Sequence, residues 1–123
     1  MKIGIILEGK IPVDRRTPFT PEILHDLQKS VGDSLSICVE TSAFRCYTDE
    51  EYQEQGIEVV SDLSKADILF GVKEVPVARL IPKKTYFFFS HTIKKQPRNK
   101  AMLQAILAKS IRLIDYELLK NRD

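Results

Sequence analysis

The sequence predicts an α/β fold, a three-layer α/β/α sandwich around a mostly parallel sheet. Three observations carry that expectation. Short apolar runs alternate along the chain with stretches of helical periodicity, the pattern of βαβ units. The runs at 2–7, 67–71 and 85–89 lack clean polar alternation, as strands covered on both faces do. With 123 residues and 43% apolar composition, the chain can bury a hydrophobic core as a single domain over 1–123.

Taken in order, residues 2–7 (KIGIIL) form a nearly all-apolar first strand, and 8–20 a polar loop with two prolines. Thr20-Pro21-Glu22 then reads as a helix start: threonine caps, proline suits the first helical position, and an acid favours the first turn. Ile23, Leu24, Leu27 and Val31 recur at helical spacing, and Gly32 ends the helix. Residues 35–39 alternate enough to be a strand nearer an edge. Thr48 and Glu51 have the spacing of a capping box for a short helix over 50–55 that stops at Gly56. A strand at 57–60 and a turn at 62–65 follow. Pro76 and Pro82 bracket a short amphipathic connection at 77–81, between the strands at 67–71 and 85–89. Pro97 opens a helix with Ala101, Met102, Ala105, Ile106 and Lys109 on or near its inward side. A last strand covers 111–114, and a further helix begins over 116–120.

This order is flavodoxin-like or Rossmann-like, with right-handed crossovers. It lacks a dinucleotide fingerprint. The loop after the first strand, Glu8-Gly9-Lys10-Ile11-Pro12, has one glycine and no GxGxxG, and there is no Walker A loop. No residue is therefore assigned to cofactor binding.

Charge is mixed rather than blocked, with 19 basic against 17 acidic residues, so nothing points to nucleic acid. No apolar run reaches membrane-spanning length. The two cysteines make no disulfide framework: Cys38 lies in an apolar run and reads as core, and Cys46 reads as a free loop thiol. Without a CxxC, and with two histidines, zinc is not expected. A reduced, cytoplasmic setting is expected.

The candidate site follows from position. Strands of a parallel sheet present the residues just past their carboxyl ends to ligands. Lys73 and Glu74 follow one such run, and His91 follows the next. An amine and an imidazole facing one pocket can polarise a carbonyl and carry protons near neutral pH. Arg16 suits a substrate carboxylate through its planar fork. Glu117 adds a carboxylate at the same edge. His25 and the tyrosines Tyr47 and Tyr52 read as surface or packing groups, and 87–89 (FFF) as core rather than a stacking platform.

Longer segments now carry a resemblance. Asp14-Arg15-Arg16 with Phe19-Thr20-Pro21, then 69–73 (LFGVK), 84–94 (KTYFFFSHTIK) and 111–117 (IRLIDYE), resemble the N-terminal domain of the alanine dehydrogenase and pyridine nucleotide transhydrogenase superfamily. The likeness leans toward its lysine–ketoglutarate reductase and lysine-forming saccharopine dehydrogenase branch. It implies that Arg16 contacts the substrate carboxylate and that Lys73 and His91 are the acid–base pair. It also implies that Glu74, Lys94 and Glu117 line the substrate pocket. The implied reaction is reductive condensation of lysine with 2-oxoglutarate, with NAD(P)H as hydride donor. In that family the nicotinamide cofactor sits on a following domain. The expectation is therefore a substrate domain whose cofactor domain lies in a longer or partner chain, and which does not turn over alone. A non-catalytic amino-acid or keto-acid binding module and an alanine dehydrogenase-like substrate domain are the alternatives. Pairing of copies into a homo-oligomer is left open.

Overall fold

The computed structural model describes residues 1–9, 12–91 and 97–121. Its six strands are β1 (Lys2–Ile5), β2 (Ser36–Glu40), β3 (Glu58–Val60), β4 (Ile68–Lys73), β5 (Thr85–Phe89) and β6 (Arg112–Asp115). The helices are α1 (Pro21–Val31), α2 (Asp49–Glu54) and α3 (Lys100–Ala108). Every strand pair is parallel, and the sheet order is β3-β2-β1-β4-β5-β6. That is the Rossmann order, with the chain reversing direction of growth between β1 and β4. The expected α/β/α sandwich is the observed fold.

Side-chain alternation sends successive residues to opposite faces. Ile5 joins Leu24, Ile37, Val39 and Tyr52 under α1 and α2, whereas Ile6 joins Leu69, Tyr86, Phe88, Met102 and Ile106 under α3. Gly4 lets the second layer close: a Cβ there would lie 2.8 Å from Leu69 Cδ2 and 2.9 Å from Leu63 Cδ2.

The local start signals hold. Thr20 Oγ1 accepts the Ile23 N–H at 3.2 Å, and Gly32 closes α1 at φ 73°. At α2 the capping box is complete, with Thr48 Oγ1 taking the Glu51 N–H and Glu51 Oε2 taking the Thr48 N–H. Tyr52 is fully buried, its hydroxyl donating to the Phe19 carbonyl at 2.7 Å beneath the Arg45 guanidinium. Cys38 is buried, Cys46 exposed, and His25 an exposed residue whose Nδ1 meets the Gln55 carbonyl.

Four expectations are corrected. Of the four apolar residues at helical spacing on α1, Leu24 and Leu27 turn inward while Ile23 and Val31 are exposed, because the helix rests one narrow face on β1 and β2. β2 stands near the edge as expected but does not alternate: it is buried from Ile37 to Glu40, because β3 covers its outer side. β4 and β5 do alternate in burial, because α3 covers one face and α1 reaches only part of the other. Phe88 is therefore core, whereas Phe87 is half-buried and Phe89 is 37% exposed. After β6, a single 3₁₀ turn (Tyr116–Leu118) stands where a helix over 116–120 was expected. Asp115 caps that turn through its side chain, and Leu119 and Lys120 leave it in non-helical backbone.

Candidate functional site

The carboxyl ends of β1, β4, β5 and β6 deliver the chemistry-bearing residues to one edge of the sheet. The loop leaving β1 crosses the switch point between β1 and β4, where doubly wound sheets open a crevice. Its root is held from below. Glu40 accepts the Leu7 N–H at 2.9 Å and the Arg79 guanidinium at 2.5 Å. Gly9 admits that arginine, since a Cβ would lie 2.8 Å from Arg79 Nη1.

Glu8 fastens this loop to β4. Phe70 pairs with Phe87 but Lys73 with Phe89, so β4 carries a bulge between them. There the N–H groups of Val72 and Lys73 both donate to Glu8 Oε1, each at 2.7 Å. Bulges at such edges re-aim a side chain, here that of Lys73. Burial first, with the charge of Asp14 adding to it, pushes the Glu8 carboxyl up although those two hydrogen bonds lower it.

Asp14 gathers the cations. Its Oδ1 accepts the Arg16 backbone N–H and Nε, each at 3.0 Å, and its Oδ2 takes Arg16 Nη2 at 2.7 Å. The same Oδ2 lies 3.3 Å from Lys73 Nζ. The Arg16 hydrogen bonds, with Lys73 adding to them, hold the Asp14 carboxyl well below the usual carboxylate range. The Asp14 side chain is only 8% exposed, whereas those of Arg16 and Lys73 are 61% and 40% exposed. A shielded acid thus holds two cations that still face solvent.

His91 and Glu117 make the second group. His91 stands two residues past β5 in left-handed backbone, φ 59°. Its Nδ1 is shielded from solvent and makes no hydrogen bond among the described residues, and Glu117 Oε1 lies 3.4 Å away. That is an ion-pair separation when the ring is protonated, rather than a fixed hydrogen bond. Tyr116 precedes Glu117, and burial first, and then the charge of Glu8, push its phenol up to about 12. Its ring packs on Phe89 and Phe87, and Phe87 stacks on Phe70.

Of the residues expected at the site, Arg16 and Lys73 meet on Asp14, and His91 meets Glu117. Glu74 is half-buried next to Lys73 in sequence, and Lys94 lies outside the described residues. Lys73 is the last residue of β4, not a residue beyond it. Sequence reasoning passed over Glu8, Asp14 and Tyr116 as site residues. The available signals were an acid directly after the first apolar run and a second acid two residues before Arg16.

The edge does not suit a dinucleotide phosphate. Where a Rossmann loop offers glycine N–H groups and a helix N-terminus, this chain offers the Glu8 carboxylate, and α1 begins only at Pro21. Among the described residues no group of three or more His, Cys, Asp or Glu side chains could hold a metal ion.

A fully parallel doubly wound sheet with Arg16, Lys73 and His91 at its carboxyl edge defines the class, a Rossmann-like α/β domain. The comparisons make this more particular. Residues 4–123 match the family described as alanine dehydrogenase/PNT, N-terminal domain, and the chain belongs to that family. It is 37% identical to an alpha-aminoadipic semialdehyde synthase of Arabidopsis thaliana over 95% of its length, and 41% identical to the mitochondrial synthase of Bos taurus over 85%. It spans 11% of the length of each of these relatives. Among solved structures, the transhydrogenase of Sinorhizobium meliloti superposes with a TM-score of 0.79 at 19% identity, covering 98% of this chain and 36% of that one. An L-alanine dehydrogenase gives 0.78 at 21% identity, covering 100% and 35%. At such identities these two share the fold.

The cytoplasmic setting expected from sequence is overturned, because the cattle, rat and mouse relatives are mitochondrial proteins. Unpaired thiols report a reducing environment and do not tell one reducing compartment from another.

Proposed function

We propose that this chain is the substrate side of an NAD(P)-dependent amino-acid dehydrogenase acting on a CH–NH bond, and that it serves the condensation of lysine with 2-oxoglutarate. The observation that carries the reading is Asp14 holding Arg16 and Lys73 together at the switch-point edge. The semialdehyde synthase relatives, at 37% and 41% identity, support the lysine branch over other amino acids. The alanine dehydrogenase likeness supports the fold alone.

Arg16 takes the carboxylate next to the keto group, its fork matching two oxygens. Lys73 and His91 carry protons. One removes a proton from the incoming ε-ammonium so that nitrogen can attack the keto carbon, and the other protonates the carbinolamine hydroxyl so that it leaves as water. Glu117 steadies the protonated imidazole, and Glu74 and Lys94 complete the pocket. Glu8 and Asp14 act on Lys73 and Arg16 rather than on the ligand. The hydride comes from NAD(P)H held by a domain in a longer or partner chain. Substrate domain and cofactor domain are thus separate units in this reading, and the domain over 1–123 does not turn over alone.

Calorimetry of the chain with 2-oxoglutarate, lysine, saccharopine and pyruvate tests the reading. Binding of 2-oxoglutarate or saccharopine, weakened in Arg16→Ala, is expected. No heat from any of the four, or binding indifferent to Arg16, would sink it.

A further inference from the structure

A buried pair lies directly behind the second group of site residues. Ser90 is fully buried and Asp115 is 5% exposed, so neither can touch a ligand. Ser90 Oγ donates to Asp115 Oδ2 at 2.5 Å, and the Ser90 N–H reaches the same oxygen at 3.3 Å. The other oxygen, Oδ1, accepts the Glu117 N–H at 3.0 Å.

From this geometry we infer that Asp115 and Ser90 are positioning residues that set His91 against Glu117. One carboxylate spans the ends of β5 and β6 and gives one oxygen to each loop. Its Oδ2 holds the residue before His91, and its Oδ1 holds the backbone of Glu117. The spacing of the imidazole from its acid is thereby fixed from beneath.

Two further observations point the same way. Left-handed backbone is unfavourable for a residue with a Cβ and persists where neighbours enforce it. His91 is enforced from both sides, by Ser90 before it and by the buried Asn99, whose Nδ2 donates to the His91 carbonyl at 3.2 Å. A buried carboxylate, moreover, costs more than an apolar pair of the same volume unless its bonds are satisfied. An apolar pair would fill the space between β5 and β6, but it could not present one acceptor to each loop.

The inference rests on the reading of His91 as a proton carrier, and its test does not need that reading to hold. Nuclear magnetic resonance of the isotope-labelled chain gives two readouts. The first is the strong intraresidue N–H to Hα contact that marks left-handed backbone at His91. The second is the change that Glu117→Gln makes in the His91 ring-nitrogen shifts. In Ser90→Ala and Asp115→Asn both are expected to be lost, while the amides of β1 and β2 keep their native dispersion. A Ser90→Thr variant, which keeps the hydroxyl, should restore them. If His91 keeps its left-handed signature and its response to Glu117→Gln in Ser90→Ala, the inference is overturned. Ser90→Ala removes one hydroxyl and leaves the carboxylate bonded to two amides, so it decides the matter even where Asp115→Asn does not fold. Absence of keto-acid binding by the unaltered chain would count against the proposed function and leave this result standing.

Discussion

Asp14 Oδ2 lies 2.7 Å from Arg16 Nη2 and 3.3 Å from Lys73 Nζ, so a single shielded oxygen serves both cations of the candidate site. Arg16 is near in sequence, but Lys73 arrives from the far side of the switch point. The contact therefore reports the closure of the loop after β1 onto β4 as well as the electrostatics of the site.

That relationship has a pH signature. The folded-state Asp14 carboxyl is depressed below its ordinary value of 3.8. Its stabilising contribution is thus fully present above that value and is lost as pH falls through the depressed one. Urea unfolding of wild type and Asp14→Asn should differ most at about pH 7 and converge as pH falls below about 3.8. A difference that grows on acidification would contradict the arrangement.

Glu8 should show the opposite trend. Its carboxyl is raised in the folded state, chiefly by burial, from an ordinary value of 4.5. Its contribution is fully present below that value and fades as pH rises through the raised one. Glu8→Gln keeps an acceptor for the Val72 and Lys73 amides and carries no charge to bury. Its stability relative to wild type should rise between about pH 4 and about pH 7, measured by denaturant melts at both ends.

For the ligand, Arg16 is the residue to remove first. A charge-assisted hydrogen bond to a carboxylate contributes about 1.5–3 kcal/mol, so Arg16→Ala should weaken 2-oxoglutarate binding by roughly 10- to 150-fold. Arg16→Lys should recover only part of this, because an ammonium lacks the planar fork. Equal affinities for the lysine variant and wild type in calorimetry would show that charge alone is used.

Neighbouring phenylalanines separate core from edge. Phe88 is fully buried under α3, and Phe88→Ala should cost about 3–5 kcal/mol. Phe89, on the opposite face and 37% exposed against Tyr116, should cost less than about 2 kcal/mol when truncated. Thermal melts of the two variants check the ordering, and equal losses would refute the assignment of faces.

Much of the frame was legible because its signals are local. Thr20-Pro21-Glu22, Gly32 and the Thr48–Glu51 box mark helix ends through bonds between residues a few positions apart. The apolar runs located all six strands to within two residues at each end, and their alternation with helices predicted parallel pairing. Legibility failed where burial depends on what covers a face. The run 85–89 does not reveal that α3 protects Phe88 and that, among the described residues, no helix covers Phe89 in the same way.

For the site, sequence alone determined which residues stand at the strand ends: Lys73 and Glu74 after one apolar run, His91 after the next, and Glu117 just past the last. Position along the chain suffices for that, because a parallel sheet puts all its carboxyl ends on one edge. Only the tertiary structure decided how they pair. Glu8 reaches the amides of Val72 and Lys73, Asp14 reaches Lys73, and Asp115 reaches Ser90 across separations of 25 to 65 residues. Such contacts leave no periodicity and no local motif, since they depend on strand order and register, which put β1 beside β4 and β5 beside β6.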